Sequence, residues 1–151
     1  MINGKSEVYK KPSLTTIAEC TGLAATHEDD IYDLLVVGAG PGGLGASVYG
    51  ASEGLNTITI DSIGPGGQAG NSSKIENYLG FPTGISGGEL ANRAYLQAQK
   101  FGCTISVPFN AESLQLKEDC FLLTLENGDE IRARSVIAAT GARYRKLNLD
   151  N

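Results

Sequence analysis

The rhythm of hydrophobic and polar positions along this chain changes at residue 31. Ahead of it, Pro12 and Ser13 mark a helix start, with Leu14, Ile17 and Ala18 on one face and Gly22 as the stop. Residues 24–30 are polar and unpatterned and read as a linker, and their His27, the single histidine of the chain, reads as solvent-exposed rather than catalytic. Residues 32–37 then form a near-continuous apolar run, the pattern of a parallel strand covered on both faces. Glycines follow at once, and residues 42–54 carry Leu44, Ala46, Val48 and Ala51 at helical spacing. Residues 57–60 are a second, β-branched strand that ends at Asp61, so the chain opens a βαβ unit.

Residues 62–86 follow as a long irregular stretch rich in Gly, Pro, Ser and Asn, and loops of this length inside a domain are usually functional. Helical spacing returns over residues 87–101, with Leu90, Ala94, Leu96 and Ala98 inward and Gly102 as the stop. Three strand-like runs come next, at residues 105–107, 113–116 and 121–125. Asn127-Gly128 is a hairpin signal that joins the last of these to a strand over residues 130–134. Residues 135–139 form a separate small strand of buried type, running into Thr140 and Gly141. The expected fold class is α/β, a Rossmann-like three-layer fold with a small β-meander from about residue 105 to 134.

Composition narrows the function. Twenty of 151 residues are glycine, about twice the usual share of about 7%, and with no collagen-like period the excess belongs to local backbone devices. Twelve Lys and Arg against 17 Asp and Glu give a net charge of -5, which argues against a nucleic-acid surface. Cys20, Cys103 and Cys120 are odd in number and widely spaced, so a disulfide framework is not expected and a reducing, cytoplasmic setting is. Cys103, after the helix-stopping Gly102, reads as a small buried apolar residue. No apolar run approaches a membrane span, and the basic start lacks the apolar stretch of a signal peptide. Tyr49, Tyr78 and Phe81 read as core aromatics, and Arg143, Arg145 and Lys146 as a solvated basic run.

The chemistry sits in the glycine turn. Gly38, Ala39, Gly40, Pro41, Gly42 and Gly43 match G-x-G-x-x-G directly after a strand and at the opening of a helix. Gly38 permits the tight turn, Gly40 removes a side chain where a diphosphate approaches the backbone, and Gly43 lets the helix pack closely on the sheet. The helix start offers unpaired N–H groups and a partial positive charge to that anion. Asp61 follows Gly38 by 23 residues, where the fingerprint expects an acid about 20 residues on to bind a ribose hydroxyl. An acid there suits FAD or NAD better than NADP. The second match, Gly64-x-Gly66-x-x-Ala69, follows no strand and opens no amphipathic helix, so it is read as a loop.

Four stretches, VVGAGPGGLGA, ITIDSIGPGGQAG, KIENYLGFPTGISGGEL and VIAATGARYRKL, resemble the N-terminal, FAD-binding half of the thioredoxin reductase family of FAD-dependent pyridine nucleotide-disulfide oxidoreductases. The resemblance runs from about Tyr32 to Leu147 and is closest to a subgroup fused behind a regulatory domain. It implies that residues 38–43 surround the FAD diphosphate, with Asp61 near the adenosine ribose. It also implies that Gly66, Gly67 and Gln68 wrap the ribityl and flavin side, that Asn77 touches the flavin, and that Ala139, Thr140 and Gly141 make a second close backbone approach. No residue is implied as acid, base or nucleophile. The domains expected are a connector with a short helix over residues 1–30, the first part of an FAD-binding domain over 31–147, and the start of a linker to an absent NADPH domain over 148–151.

By the same resemblance, the parent is an FAD-dependent oxidoreductase that passes hydride from NADPH through FAD to a disulfide or another acceptor. This stretch, incomplete at its C-terminal end, is expected to be inactive alone. The partners implied are nucleotides, thioredoxin or another redox protein, and a second subunit in a homodimer, with no nucleic acid and no membrane. Two alternatives stay open: a non-catalytic dinucleotide-binding module or remnant, and a ferredoxin or flavodoxin reductase of the same fold.

Overall fold

The computed structural model describes residues 31–142 together with residues 11–13, 16, 17 and 20. Six strands, β1 (Tyr32–Val37), β2 (Thr57–Ile60), β3 (Thr104–Ser106), β4 (Ala111–Lys117), β5 (Cys120–Leu125) and β6 (Glu130–Ala138), form one sheet in the order β3-β2-β1-β6-β5-β4. Two helices, α1 (Pro41–Ser52) and α2 (Gly87–Lys100), make the crossovers β1–α1–β2 and β2–α2–β3, and a 3-10 turn occupies Gly67–Asn71.

Strand periodicity sorts the core into two layers of contact. Leu34 and Thr57 face the helices: a side chain added at Gly50 of α1 would meet Leu34 Cδ2 and Thr57 Oγ1. One residue along, Leu35, Ile58 and Ile60 point the other way and pack on Phe109, Leu123, Leu125 and Ile131 from the antiparallel arm. β1 and β2 are therefore covered on both faces, with helices on one side and the arm on the other, which is the three-layer α/β arrangement expected. The stretch expected as a buried strand at residues 135–139 is instead largely exposed, Ile137 at 40%, because no helix of the described residues covers that half of β6. At the far end of the helix layer, Ala51, Ala98 and Cys103 form a second, smaller cluster with Val48 and Ile105.

Several local expectations change. The two runs at residues 130–134 and 135–139 are one strand, β6, because its first half pairs antiparallel with β5 and its second half pairs parallel with β1. A single extended segment switches partners at Ala133, which lies opposite both Phe121 and Tyr32. Thr104–Ser106, expected at the start of the meander, pairs parallel with β2 on the opposite edge, so the meander is β4-β5-β6 alone. The β5–β6 connection is the four residues 126–129, with Gly128 N–H donating to Leu125 O, Leu125 N–H donating to Asp129 O, and Gly128 at φ +88°.

In α2, Leu90, Ala91 and Ala98 are buried whereas Leu96 is 54% exposed. At 3.6 residues per turn, Leu96 falls off the face that Leu90, Ala91 and Ala98 share. Tyr49, at 75% exposed, and the half-exposed Tyr78 are surface residues, not core, and with Phe81 they line a groove between α1 and α2. Cys103 is buried as expected. Ser13 begins a helical turn, its Oγ accepting from Thr16 N–H at 3.1 Å and its carbonyl from Ile17 N–H at 3.0 Å. Leu14, Ala18 and Gly22 of that expected helix, the linker with His27, and the basic run Arg143, Arg145 and Lys146 lie outside the described residues.

Candidate dinucleotide site

The site is assembled from backbone at the ends of parallel strands. Gly38 leaves β1 at φ +109° and donates its N–H to Ile60 O at 2.7 Å. A Cβ there would lie 2.4 Å from Ala139 O, so the turn and the end of β6 touch backbone to backbone. Ala139 N–H in turn donates to Val37 O at 2.8 Å, continuing the ladder past the strand end. Gly43 packs against the same turn: its missing Cβ would lie 1.8 Å from Gly38 O. The packing roles expected of Gly38 and Gly43 are thus met by named contacts.

Gly40 differs from both. A Cβ at Gly40 would find no protein atom within 4 Å, and the same holds at Gly42. Gly40 caps α1 without a side-chain hydrogen bond, Pro41 follows at the first helical position, and no acidic residue lies in the first turn. The first N–H groups of a helix have no intrahelical acceptor, and among the described residues no side chain caps them. By contrast, α2 is capped by Ser86 Oγ, which accepts from Glu89 N–H at 3.2 Å, and carries Glu89 in its first turn. The start of α1 presents open space and unserved donors, the arrangement that suits a phosphate.

Residues 61–68 close one side. The Asp61 carboxylate accepts Ala39 N–H through Oδ2 at 2.7 Å, and Ile63 and Gly64 N–H through Oδ1 at 2.8 and 2.9 Å. Gly66 N–H donates to Ala39 O at 2.8 Å, and the Cα of Gly40 lies 3.2 Å from where a Gly67 Cβ would stand. Gly66 and Gly67 both have positive φ, at +116° and +52°. On the other side, Gln68 Nε2 donates to Ala142 O, linking the 3-10 turn to the segment after Ala139, Thr140 and Gly141. Asn77 is exposed in the loop beyond, between the bridge partners Ile75 and Ile85.

Residues 38–43, 61–68 and 139–142 therefore meet. Among the described residues no hydrogen bond joins Asn77 to them. A cavity of about 590 Å³ opens beside Asp61, lined by Gly64, Pro65, Gly67, Asn92 and Tyr95 among others, within the range of about 300–1,000 Å³ usual for small-molecule sites. A larger one of about 750 Å³, between Ile31 and the β4–β5 hairpin, contains none of these residues. Among the described residues no cluster of His, Cys, Asp or Glu could hold a metal, and no helix is long and apolar enough to cross a membrane.

Behind the turn lies a polar seam that the sequence reasoning missed. Ser47 Oγ donates to Gly43 O at 2.7 Å and lies 2.6 Å from Thr59 Oγ1, which lies 3.4 Å from Cys103 Sγ. Ser47 and Thr59 are fully buried. Burial pushes the Cys103 thiol pKa up, against the opposing effect of its hydrogen bonds to Thr59 and Ser47. Ser47 stands one turn after Gly43, and that spacing is the signal that could have marked it, since a buried helical serine bonds back to the carbonyl four residues earlier.

Fold and turn together define a dinucleotide-binding unit of the Rossmann class. The pattern of the pyridine nucleotide-disulphide oxidoreductase family matches residues 32–151, and the chain belongs to that family, whose cofactors are FAD and NADPH. It is 38% identical over 122 residues to a thioredoxin reductase of Bacillus subtilis and 40% identical over 127 residues to one of Mycoplasmopsis pulmonis. These alignments cover 81% and 82% of this chain but 38% and 41% of the relatives, so the chain spans well under half of their length. Among solved structures, a Streptococcus pyogenes thioredoxin reductase superposes at a TM-score of 0.72 with 36% identity, over 79% of this chain and 38% of that one.

Proposed function

We propose that this chain is the FAD-binding portion of a thioredoxin-reductase-like oxidoreductase that passes hydride from NADPH, by way of FAD, to a disulfide or another acceptor. The observation that carries the reading is Gly40, whose absent side chain faces no protein atom at the uncapped start of α1. The residues fit the cofactor. Gly40, Pro41, Gly42 and Gly43 would hold the diphosphate on the helix N-terminus, and Gly38 keeps that turn tight against β6. Asp61 stands at the ribose end, and Gly66, Gly67 and Gln68 form the wall toward the flavin. Ala139, Thr140 and Gly141 close the opposite wall, while the Asn77 amide is free to turn toward flavin carbonyl or ring nitrogen atoms.

FAD bound there supplies two-electron transfer between a nicotinamide and an acceptor. The chain's own residues bind and orient it, and none is assigned as acid, base or nucleophile. NADPH binding, thioredoxin as partner and a homodimer are proposed for the longer protein of which residues 31–147 would be the first flavin-binding part. Three free thiols fit a reducing, cytoplasmic setting.

The test is a titration of the purified chain with FAD, followed by flavin fluorescence quenching and thermal shift. One FAD per chain with a raised melting temperature is expected. Absence of binding to FAD and to other dinucleotides would overturn the reading, and tight NAD binding without FAD would favour a nicotinamide-sensing module.

A further inference from the structure

Asp61 is placed to do more than meet a ribose. It is half-buried at the end of β2, and every polar group it owns is engaged. Its N–H donates to Ser106 O at 3.3 Å and its carbonyl accepts Phe109 N–H at 3.0 Å, tying it to β3 and to the start of the antiparallel arm. Its carboxylate takes three backbone N–H groups: Ala39 on Oδ2, and Ile63 and Gly64 on Oδ1. A carboxylate offers about four acceptor positions, so one remains, on Oδ2. A two-point grip on a ribose diol needs two, and would have to release a backbone partner.

We propose that Asp61 is a positioning residue that preorganises the dinucleotide site before any ligand arrives. One side chain fixes two backbone segments relative to each other. Oδ2 holds Ala39, at the centre of the glycine turn, and Oδ1 folds residues 61–64 back so that Gly66 N–H reaches Ala39 O at 2.8 Å. Gly67 is thereby set against Gly40. The carboxylate draws the turn and the following loop into the spacing that a diphosphate would meet, and the ribose receives at most one hydrogen bond from it. This rests on the FAD-binding reading for its purpose, but the bracing itself is a property of the free protein.

Amide hydrogen exchange resolved by NMR on the ligand-free full chain tests the brace. Asp61→Ala is expected to speed exchange at Ala39, Ile63 and Gly64 by about tenfold or more, the scale of losing a charge-assisted hydrogen bond. Asp61→Asn is expected to keep its oxygen on Ile63 and Gly64, where it satisfies two donors, and to turn its amide N–H toward Ala39 N–H, so that exchange speeds at Ala39 alone. That second variant decides the matter if the first does not fold.

FAD and its 2′-deoxyadenosine counterpart then separate bracing from ribose recognition. Asp61→Ala is expected to weaken both by a factor of about ten or more, because the brace serves either ligand. Unaltered exchange at Ala39 in both variants would overturn the proposal, as would an Asp61→Ala variant that binds the 2′-deoxyadenosine counterpart as tightly as wild type does and loses affinity for FAD alone. If wild type binds neither ligand, the proposed function falls while the exchange rates still decide the brace.

Discussion

Gly40 and Gly43 lack side chains for different reasons, and alanine separates them. At Gly43 a Cβ would stand 1.8 Å from Gly38 O and 3.3 Å from the Ala139 Cβ, where ordinary contact begins at 3.4 Å. Gly38 O belongs to backbone held between β1, β2 and β6, so no side chain can swing aside to relieve the clash. Helix α1 would have to withdraw from the turn by about 1.6 Å, the shortfall from that 3.4 Å, loosening the buried Leu44 and Ser47 beneath it. Overpacking costs about 1–3 kcal/mol and occasionally more, and with a backbone obstacle Gly43→Ala is expected to cost about 3 kcal/mol or more.

At Gly40 the backbone lies at φ -70° and ψ 179°, which alanine adopts, and the space is empty. Gly40→Ala is therefore expected to change stability by less than about 1 kcal/mol, the gain through the unfolded chain opposing alanine's weaker capping of α1. Its effect falls on the ligand, because the new methyl group stands where the diphosphate approaches. Losing one hydrogen bond to a charged group costs about 1.5–3 kcal/mol, or about 10- to 150-fold in Kd. Urea unfolding of the ligand-free proteins and FAD titration together give the check, with m-values compared to confirm that the same transition is followed. The two variants should rank in opposite order in the two assays. Wild-type FAD affinity in Gly40→Ala would remove that position from the diphosphate path, and a loss of about 3 kcal/mol or more, as expected at Gly43, would mean that protein fills the space.

Other consequences are open to equally direct tests. Ser47→Ala removes a fully buried hydroxyl that serves Gly43 O and Thr59 Oγ1. It is expected to cost about 1–3 kcal/mol in urea unfolding, with part recovered when Thr59→Val also removes the stranded partner. The raised Cys103 thiol pKa means that the native state keeps its proton where the unfolded chain has lost it. Its contribution to stability is full below the ordinary thiol value of about 8.5 and is lost as pH rises from there through the folded value, so Cys103→Ala should flatten the alkaline decline in melting temperature. Gly87→Ala would put a Cβ 1.7 Å from Ala69 O, and is expected to lower stability by about 3 kcal/mol or more while freeing the 3-10 turn from α2.

Much of this architecture was legible because it is written in local patterns. Thr57–Ile60 is four β-branched residues in a row, and the residues from Pro41 on carry helical spacing after an apolar strand, so β2 and α1 are found close to where periodicity puts them. The glycine turn was legible because backbone contact demands glycine, and Gly38 and Gly43 meet backbone where the motif requires. What the pattern hides is pairing. Residues 130–138 look like two strands because their first half alternates charged and apolar residues and the run Val136, Ile137 and Ala138 does not. Those are the signatures of an antiparallel partner and then a parallel one along a single strand. The aromatic residues misled for a similar reason: apolar character says that a residue prefers burial, and Tyr49 at 75% exposure sits on a helix whose inward face is filled by Leu44, Ser47 and Ala51. Ser47 shows the converse, since a serine in a helix is read as polar surface until its hydrogen bonds are known.

A site made of backbone has a consequence for how binding and folding are joined. Its three segments come from residues 38–43, 61–68 and 139–142, and they touch only because β6 inserts between β1 and β5 in the sheet order. Gly38 cannot meet Ala139, nor Gln68 meet Ala142, until strands about a hundred residues apart in sequence have paired. The unfolded chain therefore holds no partial version of the site, and a dinucleotide that binds only the folded form adds its binding free energy to the cooperative unit, about 2.7 kcal/mol at a hundred times Kd. Perturbations that weaken β6 docking, far from any ligand atom, should then weaken binding in step with stability. Gly40→Ala should weaken binding alone, because at that position nothing but the ligand occupies the space.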